Sequence, residues 1–169
     1  MHLIIDGYNL LHVGRLLTQL TSIELQRERD RLIDQLSSYR QLKGCEITVV
    51  FDGWQGGWDI EKRERKQGIE LVFSKLGEKA DEVIKRLAKE KGTGAVVVTS
   101  DREVSRYAER ISIPVISSDQ FKERIATSAV RIGKDVELDE EEGWGLRRKG
   151  PSRRLSKKEK RARAALKKL

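Results

Sequence analysis

The chain has very little of several residues that small proteins often depend on. It contains one cysteine, two histidines and two prolines, and aromatic residues make up only 5% of it. One cysteine excludes an intramolecular disulfide, and we expect no disulfide-linked partner. With two histidines beside it, a structural zinc site cannot be assembled. Cys45 begins an apolar run, which is typical of a small core residue rather than a nucleophile.

Long apolar runs are also absent. No stretch approaches the roughly 18 consecutive apolar residues of a membrane-spanning helix, so we expect no membrane partner. The amino terminus has no basic segment ahead of a long apolar one, so a signal peptide is not indicated. A cytoplasmic location is therefore the expectation. The length of 169 residues predicts one domain with an appendage.

Charged residues are abundant but unevenly placed. Residues 146–169 contain twelve Lys or Arg and one acid, a net charge of +11, whereas the other 145 residues carry 23 basic and 26 acidic groups, a net charge of −3. We predict a folded domain over residues 1–133, an acidic linker over 134–145 and a basic tail over 146–169 that is disordered or conditionally helical. Such a polycation indicates a nucleic-acid partner. A solvated tail that only aids solubility is the alternative.

The order of apolar segments predicts an α/β fold. Apolar runs predict strands at residues 3–5, 46–51, 69–73, 95–99 and 113–116, and helical periodicity predicts helices at 22–42, 78–91, 102–110 and 118–132. Residues 10–20 are interpreted as a short helix or a structured loop, and 61–67 as a charged connection. This alternation predicts a mainly parallel sheet with helices on both faces.

Local signals mark several helix ends. Thr21 and Glu24 form a capping box before the helix at residues 22–42, and Gly44 ends that helix. Ser118 and Asp119 are predicted to cap the last helix.

Four acids occupy positions where such a sheet presents ligands. Asp6, Asp52 and Asp101 each follow a strand, and Asp81 lies in the first turn of a helix. Four carboxylates repel one another unless a cation lies among them. Carboxylate and water oxygens suit a hard divalent ion such as Mg²⁺ or Mn²⁺, which can orient a water for attack on a phosphodiester. Asn9 would orient a ligand or contact a phosphate, since it adds a donor without further negative charge.

Each of these acids also has a purely structural interpretation. Asp6 and Asp52 each precede a glycine, as in an ordinary turn. Asp101 could serve only as a helix N-cap, and Asp81 could do no more than favour its helix dipole. Their shared placement favours a site. Glu82, beside Asp81, is a further candidate for an outer ligand.

A glycine-rich loop that carries two tryptophans follows Asp52, and cations follow the loop. Bases stack on exposed indoles while cations hold the phosphate backbone, so the pattern suits single-stranded RNA. Packing of either tryptophan onto the domain is the alternative. The predicted RNA-binding residues are Trp54, Trp58, Arg63, Arg65 and Lys66 and, in the tail, Arg147, Arg148, Lys149, Arg153, Arg154, Lys157 and Lys158.

Four segments together resemble the NYN-domain nucleases, relatives of the PIN domains, and more narrowly their YacP-like branch. They are residues 3–9 (LIIDGYN), 50–53 (VFDG), 77–82 (GEKADE) and 97–103 (VVTSDRE). The resemblance implies a PIN-like three-layer α/β/α sandwich with a central, mainly parallel sheet, followed here by the basic C-terminal tail. It also implies metal-dependent cleavage of messenger or ribosome-associated RNA, with the ribosome as a further partner.

The same resemblance assigns roles to individual residues. It carries the metal-site role onto Asp6, Asp81 and Asp101. Asp52 and Asn9 match the pattern as further catalytic residues, although they could act from outside the metal's own ligands.

The expected function is therefore a Mg²⁺- or Mn²⁺-dependent endoribonuclease of single-stranded RNA, held on RNA by its basic tail. One alternative is a non-catalytic RNA-binding adaptor with a PIN-like fold, although the intact set of acids favours the enzyme. Phosphotransfer through an aspartyl phosphate is a weaker alternative. It would need a second aspartate on the first strand and a lysine directly after the last strand, and both are absent. Residues 77–79 (GEK) lack the glycine spacing of a P-loop.

Overall fold

The computed structural model describes residues 1–13, 20–53 and 59–134. Trp54, Trp58, most of the predicted acidic linker and the whole of the basic tail therefore lie outside the described residues. The predicted boundary of the folded domain, residue 133, falls inside the last described helix, which extends to Lys134.

The described elements alternate between strands and helices. In chain order they are β1 (His2–Asp6), α1 (Gly7–His12), α2 (Ser22–Lys43), β2 (Glu46–Phe51), β3 (Lys62–Lys66), β4 (Ile69–Phe73), α3 (Ala80–Lys91), β5 (Ala95–Val98), α4 (Arg102–Arg110), β6 (Val115–Ile116) and α5 (Ser118–Lys134). A single 3₁₀ turn, Gly92–Gly94, joins α3 to β5.

The strands form one six-stranded sheet in the order β3-β4-β2-β1-β5-β6. All neighbours are parallel except β3 and β4, which pair antiparallel. Strand β1 lies in the middle, where Ile5 is paired with Val49 on one side and Val98 on the other. This register brings the ends of β1, β2 and β5 together at one edge of the sheet, called here the carboxyl edge.

Helices cover both faces of the sheet. Leu3 and Ile5 of β1 point into a core formed with α1, α2 and α5, whereas Ile4 points into a second core formed with α3 and α4. All three side chains are fully buried, which explains why β1 is continuously apolar rather than alternating. The predicted α/β/α sandwich with a mainly parallel sheet is confirmed.

Helix α2 has the ends that its sequence predicts. The Thr21 hydroxyl accepts a hydrogen bond from the Glu24 backbone N–H, and the Glu24 carboxylate accepts one from the Thr21 N–H at 2.8 Å. At the other end Gly44 adopts a left-handed conformation with φ of 58°, and its N–H donates to the Arg40 carbonyl. Cys45, which follows, is 4% exposed and belongs to the core, as predicted.

The interpretation of residues 61–67 as a connection is wrong. Residues Lys62–Lys66 form the edge strand β3, whose side chains are all exposed. A strand without apolar residues gives no alternation to detect, and its charges protect the sheet edge from pairing with other chains. The turn to β4 places Gln67 and Gly68 at positive φ, 51° and 79°, as tight hairpins require.

Other boundaries also differ from the prediction. The last helix is capped by Ser117, whose hydroxyl accepts from the Gln120 N–H at 3.2 Å, so the prediction of Ser118 and Asp119 as caps is wrong. Ser118 is instead fully buried. Helix α1 begins at Gly7, directly after β1, rather than at residue 10. Within the described ranges, no helix has the length and apolar character that a membrane span requires.

Candidate active site at the carboxyl edge of the sheet

Asp6 lies at the centre of the carboxyl edge, as the last residue of β1 and the N-cap of α1. It is 4% exposed, and its carboxylate is held by three donors. Oδ1 accepts from the Asn9 backbone N–H at 3.1 Å, and Oδ2 accepts from Asn9 Nδ2 at 2.7 Å and from Thr99 Oγ1 at 3.2 Å. These bonds fix the orientation of a buried acid.

Burial raises the pKa of Asp6 above its ordinary value, because the charged form loses hydration. The hydrogen bonds from Asn9 and Thr99 lower this pKa, and the nearby charge of Asp101 raises it. Burial and Asp101 therefore disfavour the ionised form of Asp6, and the hydrogen bonds from Asn9 and Thr99 offset part of that effect.

Gly7 is required at the start of α1 because of packing. A Cβ at this position would lie 2.4 Å from the Phe51 ring at the end of β2. The Asp-Gly pair is therefore more than a turn signal, since the glycine lets the helix that follows Asp6 lie against the neighbouring strand.

Asp101 caps helix α4 just beyond the end of β5. Its Oδ1 accepts hydrogen bonds from the N–H groups of Glu103, at 2.7 Å, and Val104, at 2.9 Å. The Asp101 N–H in turn donates to Thr99 Oγ1 at 3.1 Å. Because the Thr99 hydroxyl also donates to Asp6, this one side chain joins the two acids. The structure confirms that Asp101 caps the helix, and capping does not exclude a chemical role.

Asp81 lies in the first turn of α3, which packs against β1. Burial raises its pKa, and the charges of Asp101 and Asp6 raise it further, whereas Lys85 lowers it. The three acids Asp6, Asp81 and Asp101 are therefore close enough for the charge of one to act on another. We call these three residues the acidic triad.

Asp52 follows β2 but is held on the β4 side. Its Oδ1 accepts from Ser74 Oγ at 3.3 Å, and the Gly53 N–H donates to the same hydroxyl at 3.0 Å. A Cβ at Gly53 would lie 1.8 Å from the Ser74 carbonyl oxygen, so only glycine permits this close approach.

Lys85 connects the two helices that carry Asp81 and Asp101. Its Nζ pairs with Glu82 at 2.8 Å and with Glu103 on α4 at 2.5 Å, and its side chain is 13% exposed. These carboxylates raise the pKa of Lys85. Glu82, a candidate outer ligand from the sequence, is thus engaged by a cation. Sequence reasoning missed both Lys85 and Thr99.

The donor set of the acidic triad fits a hard divalent cation that keeps much of its water. In the part of the chain that the structure describes, no three His, Cys, Asp or Glu side chains form a group able to hold a metal ion by themselves. Mg²⁺ usually binds one or two carboxylates and several waters rather than an all-protein cage. Charge repulsion within the acidic triad is the feature that such an ion would relieve.

The predicted RNA-binding residues differ in their surroundings. Arg63 is paired with Glu61 and Glu70, and Lys66 is paired with Asp30. Arg65 is exposed and has no ion pair within the described ranges. The remaining predicted RNA-binding residues, namely Trp54, Trp58 and the seven tail cations, lie outside the described residues and stay predictions.

Comparisons with known proteins agree on one family. The family model described as a YacP-like NYN domain matches residues 3–168. "Uncharacterized protein YacP" of Bacillus subtilis (strain 168) is 34% identical over 88 residues, which cover 51% of this chain and 50% of that protein. The match thus spans about half the length of that relative.

Solved structures give the same result over more of the chain. A crystal structure of a mutant of Rae1 (YacP) from Bacillus subtilis has a TM-score of 0.68 at 27% identity and covers 80% of each chain. A second crystal structure of Rae1 (YacP) from Bacillus subtilis has a TM-score of 0.64 at 27% identity and covers 80% of this chain and 79% of that one. Because the family model covers nearly the whole sequence, the chain belongs to the YacP-like NYN domain family, whose NYN domains are typically nucleases.

Proposed function

We propose that this protein is a Mg²⁺- or Mn²⁺-dependent endoribonuclease that cleaves single-stranded RNA. The observation that carries the proposal is the convergence of Asp6, Asp81 and Asp101 at the carboxyl edge, where the charge of Asp101 raises the pKa of Asp6 and the charges of Asp101 and Asp6 raise the pKa of Asp81. Perturbed carboxylates of this kind cluster at functional sites. Membership of a family whose domains are typically nucleases supports the same reaction.

The acidic triad would hold the ion. When bound, a divalent ion activates and orients a water for in-line attack and neutralises charge that develops on the phosphate oxygens. The chain's own residues supply preorganisation. Asn9 and Thr99 fix the Asp6 carboxylate, and the first turn of α4 fixes Asp101. Because Asn9 Nδ2 is used to hold Asp6, we assign Asn9 a positioning role.

The proposed substrate is messenger or ribosome-associated RNA in the cytoplasm. The net charge of +11 over residues 146–169 supports a polyanionic partner, and the ribosome is a candidate source of it. The tryptophans and cations that follow Asp52 support single-stranded RNA as the substrate, since unstacked bases can lie on indoles.

A non-catalytic RNA-binding adaptor with this fold is the second candidate. It is favoured by one observation, namely that the described ranges contain no ready-made group of three metal-binding side chains. An adaptor would bind RNA through the same surfaces and leave it intact.

Incubation of defined end-labelled RNAs with and without Mg²⁺, Mn²⁺ and ribosomes separates the two candidates. We expect metal-dependent cleavage, reduced at least roughly 10–100-fold by Asp6→Asn or Asp101→Asn. Asparagine preserves the Asp101 cap, so loss of activity there would not reflect loss of the helix. Asp119→Asn is the control, since Asp119 likewise follows a strand and lies at the start of a helix, in the first turn of α5.

Full cleavage by both variants, after contaminating nuclease has been excluded, would overturn the metal site. Tight RNA binding by the wild type without cleavage under any of these conditions would favour the adaptor.

A further inference from the structure

We propose that the outer face of α4 is an RNA-backbone binding site, in which Arg102, Arg106 and Arg110 hold phosphates of the strand that leads away from the acidic triad. The inference rests on the proposed function, since it names the surface that holds the substrate of that site. None of these arginines belongs to the RNA-binding set predicted from the sequence.

The three arginines form a row because they recur every four residues along one helix. A rise of 1.5 Å per residue separates successive members by about 6 Å along the axis, so the row is about 12 Å long. All three side chains are exposed. The row follows Asp101 immediately in sequence, so it begins at the acidic triad.

The same arginines line an open groove with a volume of about 890 Å³, together with Asp101, Glu103 and Glu109. The groove therefore contains one member of the acidic triad and extends along α4 from it. An elongated surface of this kind fits a single-stranded RNA that passes across the site rather than a small enclosed ligand.

The arginines are available for an anion. Within the described ranges, Arg102, Arg106 and Arg110 have no ion pair and no side-chain hydrogen bond, although the Arg110 guanidinium lies 5.7 Å from the centre of the Tyr107 ring. Nearby cations differ, since Lys85 and Arg86 are each paired with two carboxylates. An exposed guanidinium without a carboxylate partner can bind a phosphate through two parallel hydrogen bonds.

The acids of the groove offset this positive charge only in part, because Glu103 is paired with the Lys85 ammonium and Asp101 lies at the positive N-terminus of α4. Asp101 accepts from two backbone N–H groups, and Glu103 is paired with Lys85. Glu109 also has an interaction of its own. Three unpaired cations beside engaged acids fit a polyphosphate chain, and the groove's continuity with the acidic triad identifies that chain as the RNA backbone.

The test is the salt dependence of RNA binding by the full chain carrying Arg102→Ala, Arg106→Ala and Arg110→Ala together. Binding of a fluorescent single-stranded RNA is measured in EDTA over a range of salt concentrations. If the row neutralises three phosphates, the slope of log K against log salt should fall in magnitude by about 2. A matched triple variant, Arg27→Ala, Lys43→Ala and Lys89→Ala, removes the same charge from exposed positions on α2 and α3 and should leave most of that slope intact.

Lysine in place of all three α4 arginines should keep most of the slope, since it keeps the charge. Equal slopes for the α4 variant and the matched control would overturn the site, and so would a wild type that does not bind RNA. Thermal unfolding checks that the exposed substitutions leave the fold intact.

Failure of the α4 site and failure of the proposed nuclease give different results. A changed slope in a protein that never cleaves RNA would support the α4 site and reject the nuclease. Metal-dependent cleavage with an unchanged salt slope would support the nuclease and reject the α4 site.

Discussion

At the scale of single residues, the acidic triad combines structural and chemical roles. Asp6 and Asp101 both cap helices, and each capping bond also fixes a carboxylate at the carboxyl edge. Asp81 caps nothing and is placed by the packing of α3 on β1. It is therefore the triad member whose charge can be removed with least effect on the fold.

Asp81→Asn should stabilise the metal-free protein while it abolishes most activity. The folded-state pKa of Asp81 is raised above 3.8 by burial and by Asp101 and Asp6, so its ionisation opposes folding as pH rises through that folded pKa. The difference in melting temperature between variant and wild type should be near zero below about pH 3.8, where both side chains are neutral, and should grow as pH rises.

Thermal unfolding over this pH range checks the prediction. Mg²⁺ should raise the melting temperature of the wild type, because an ion that binds the folded state stabilises it, and should do so much less for the variant. A variant that melts below the wild type at neutral pH without metal would show that Asp81 has a stabilising partner instead.

Thr99→Val should weaken both the fold and the site. The Thr99 hydroxyl donates to Asp6 and accepts from the Asp101 N–H, and the residue is 1% exposed. Removing it leaves a buried carboxylate and a backbone N–H with fewer partners, which should cost roughly 1–3 kcal/mol in unfolding free energy. Chemical denaturation measures this cost. Thr99→Ser keeps the hydroxyl and should retain most of the stability and activity, so equal losses in both variants would argue against the hydrogen bonds.

The positions of the acidic triad were predictable because each acid ends an apolar strand or begins an apolar-faced helix. The hydrogen bond that holds Asp52 on the β4 side was not predictable, since its donor is Ser74, 22 residues away and at the end of another strand. Thr99 was missed because a threonine at the end of an apolar strand looks like an ordinary β-branched residue. The surroundings of Asp52 and the role of Thr99 both depend on contacts with residues distant in sequence, namely Ser74 and Asp6.

At the scale of elements, local chemistry decided which segments could be recognised. Helix α2 was predicted to within one residue because both of its ends carry specific signals, the capping box and Gly44. Strand β3 was missed because all five of its residues are charged, so its pairing with β4 is the only sign of its structure. Pairing is a tertiary property that the segment's own sequence does not contain.

Gly7→Ala should disturb the contact between α1 and β2. The new Cβ would lie 2.4 Å from the Phe51 ring, and Phe51 is 1% exposed. Overpacking of this kind should cost roughly 1–3 kcal/mol in unfolding free energy.

Gly94→Ala is the matched control, since a Cβ there meets nothing within 4 Å. Its effect should stay within about 0.5 kcal/mol. Equal stabilities for the two variants would mean that the Phe51 ring moves freely and that α1 does not need glycine.

At the scale of the whole molecule, two features of the sequence are independent of each other. The alternation of strands and helices determines the sandwich and the carboxyl edge, which the structure confirms. The charge of residues 146–169 indicates a partner and contributes nothing to that prediction of the fold. The family model nevertheless extends through residue 168, so the basic segment belongs to the matched region.

Deletion of residues 146–169 should weaken binding of RNA or ribosomes and flatten its salt dependence. If the tail neutralises about six phosphates, the affinity of the full chain should fall by roughly a thousandfold between about 50 and 200 mM salt. Titrations of the full and truncated chains across this range provide the measurement. The same salt slope in both chains would reject an anchoring role for the tail.

The central claim is that Asp6, Asp81 and Asp101 bind one divalent cation at the carboxyl edge. The most direct test is an anomalous difference map from crystals grown with Mn²⁺, for the wild type and for Asp81→Asn. We predict a peak in the wild type bonded to at least one carboxylate of the acidic triad, with waters completing the coordination, and a much weaker peak in the variant. A wild-type map that shows Mn²⁺ elsewhere on the protein and none at the triad would contradict the claim.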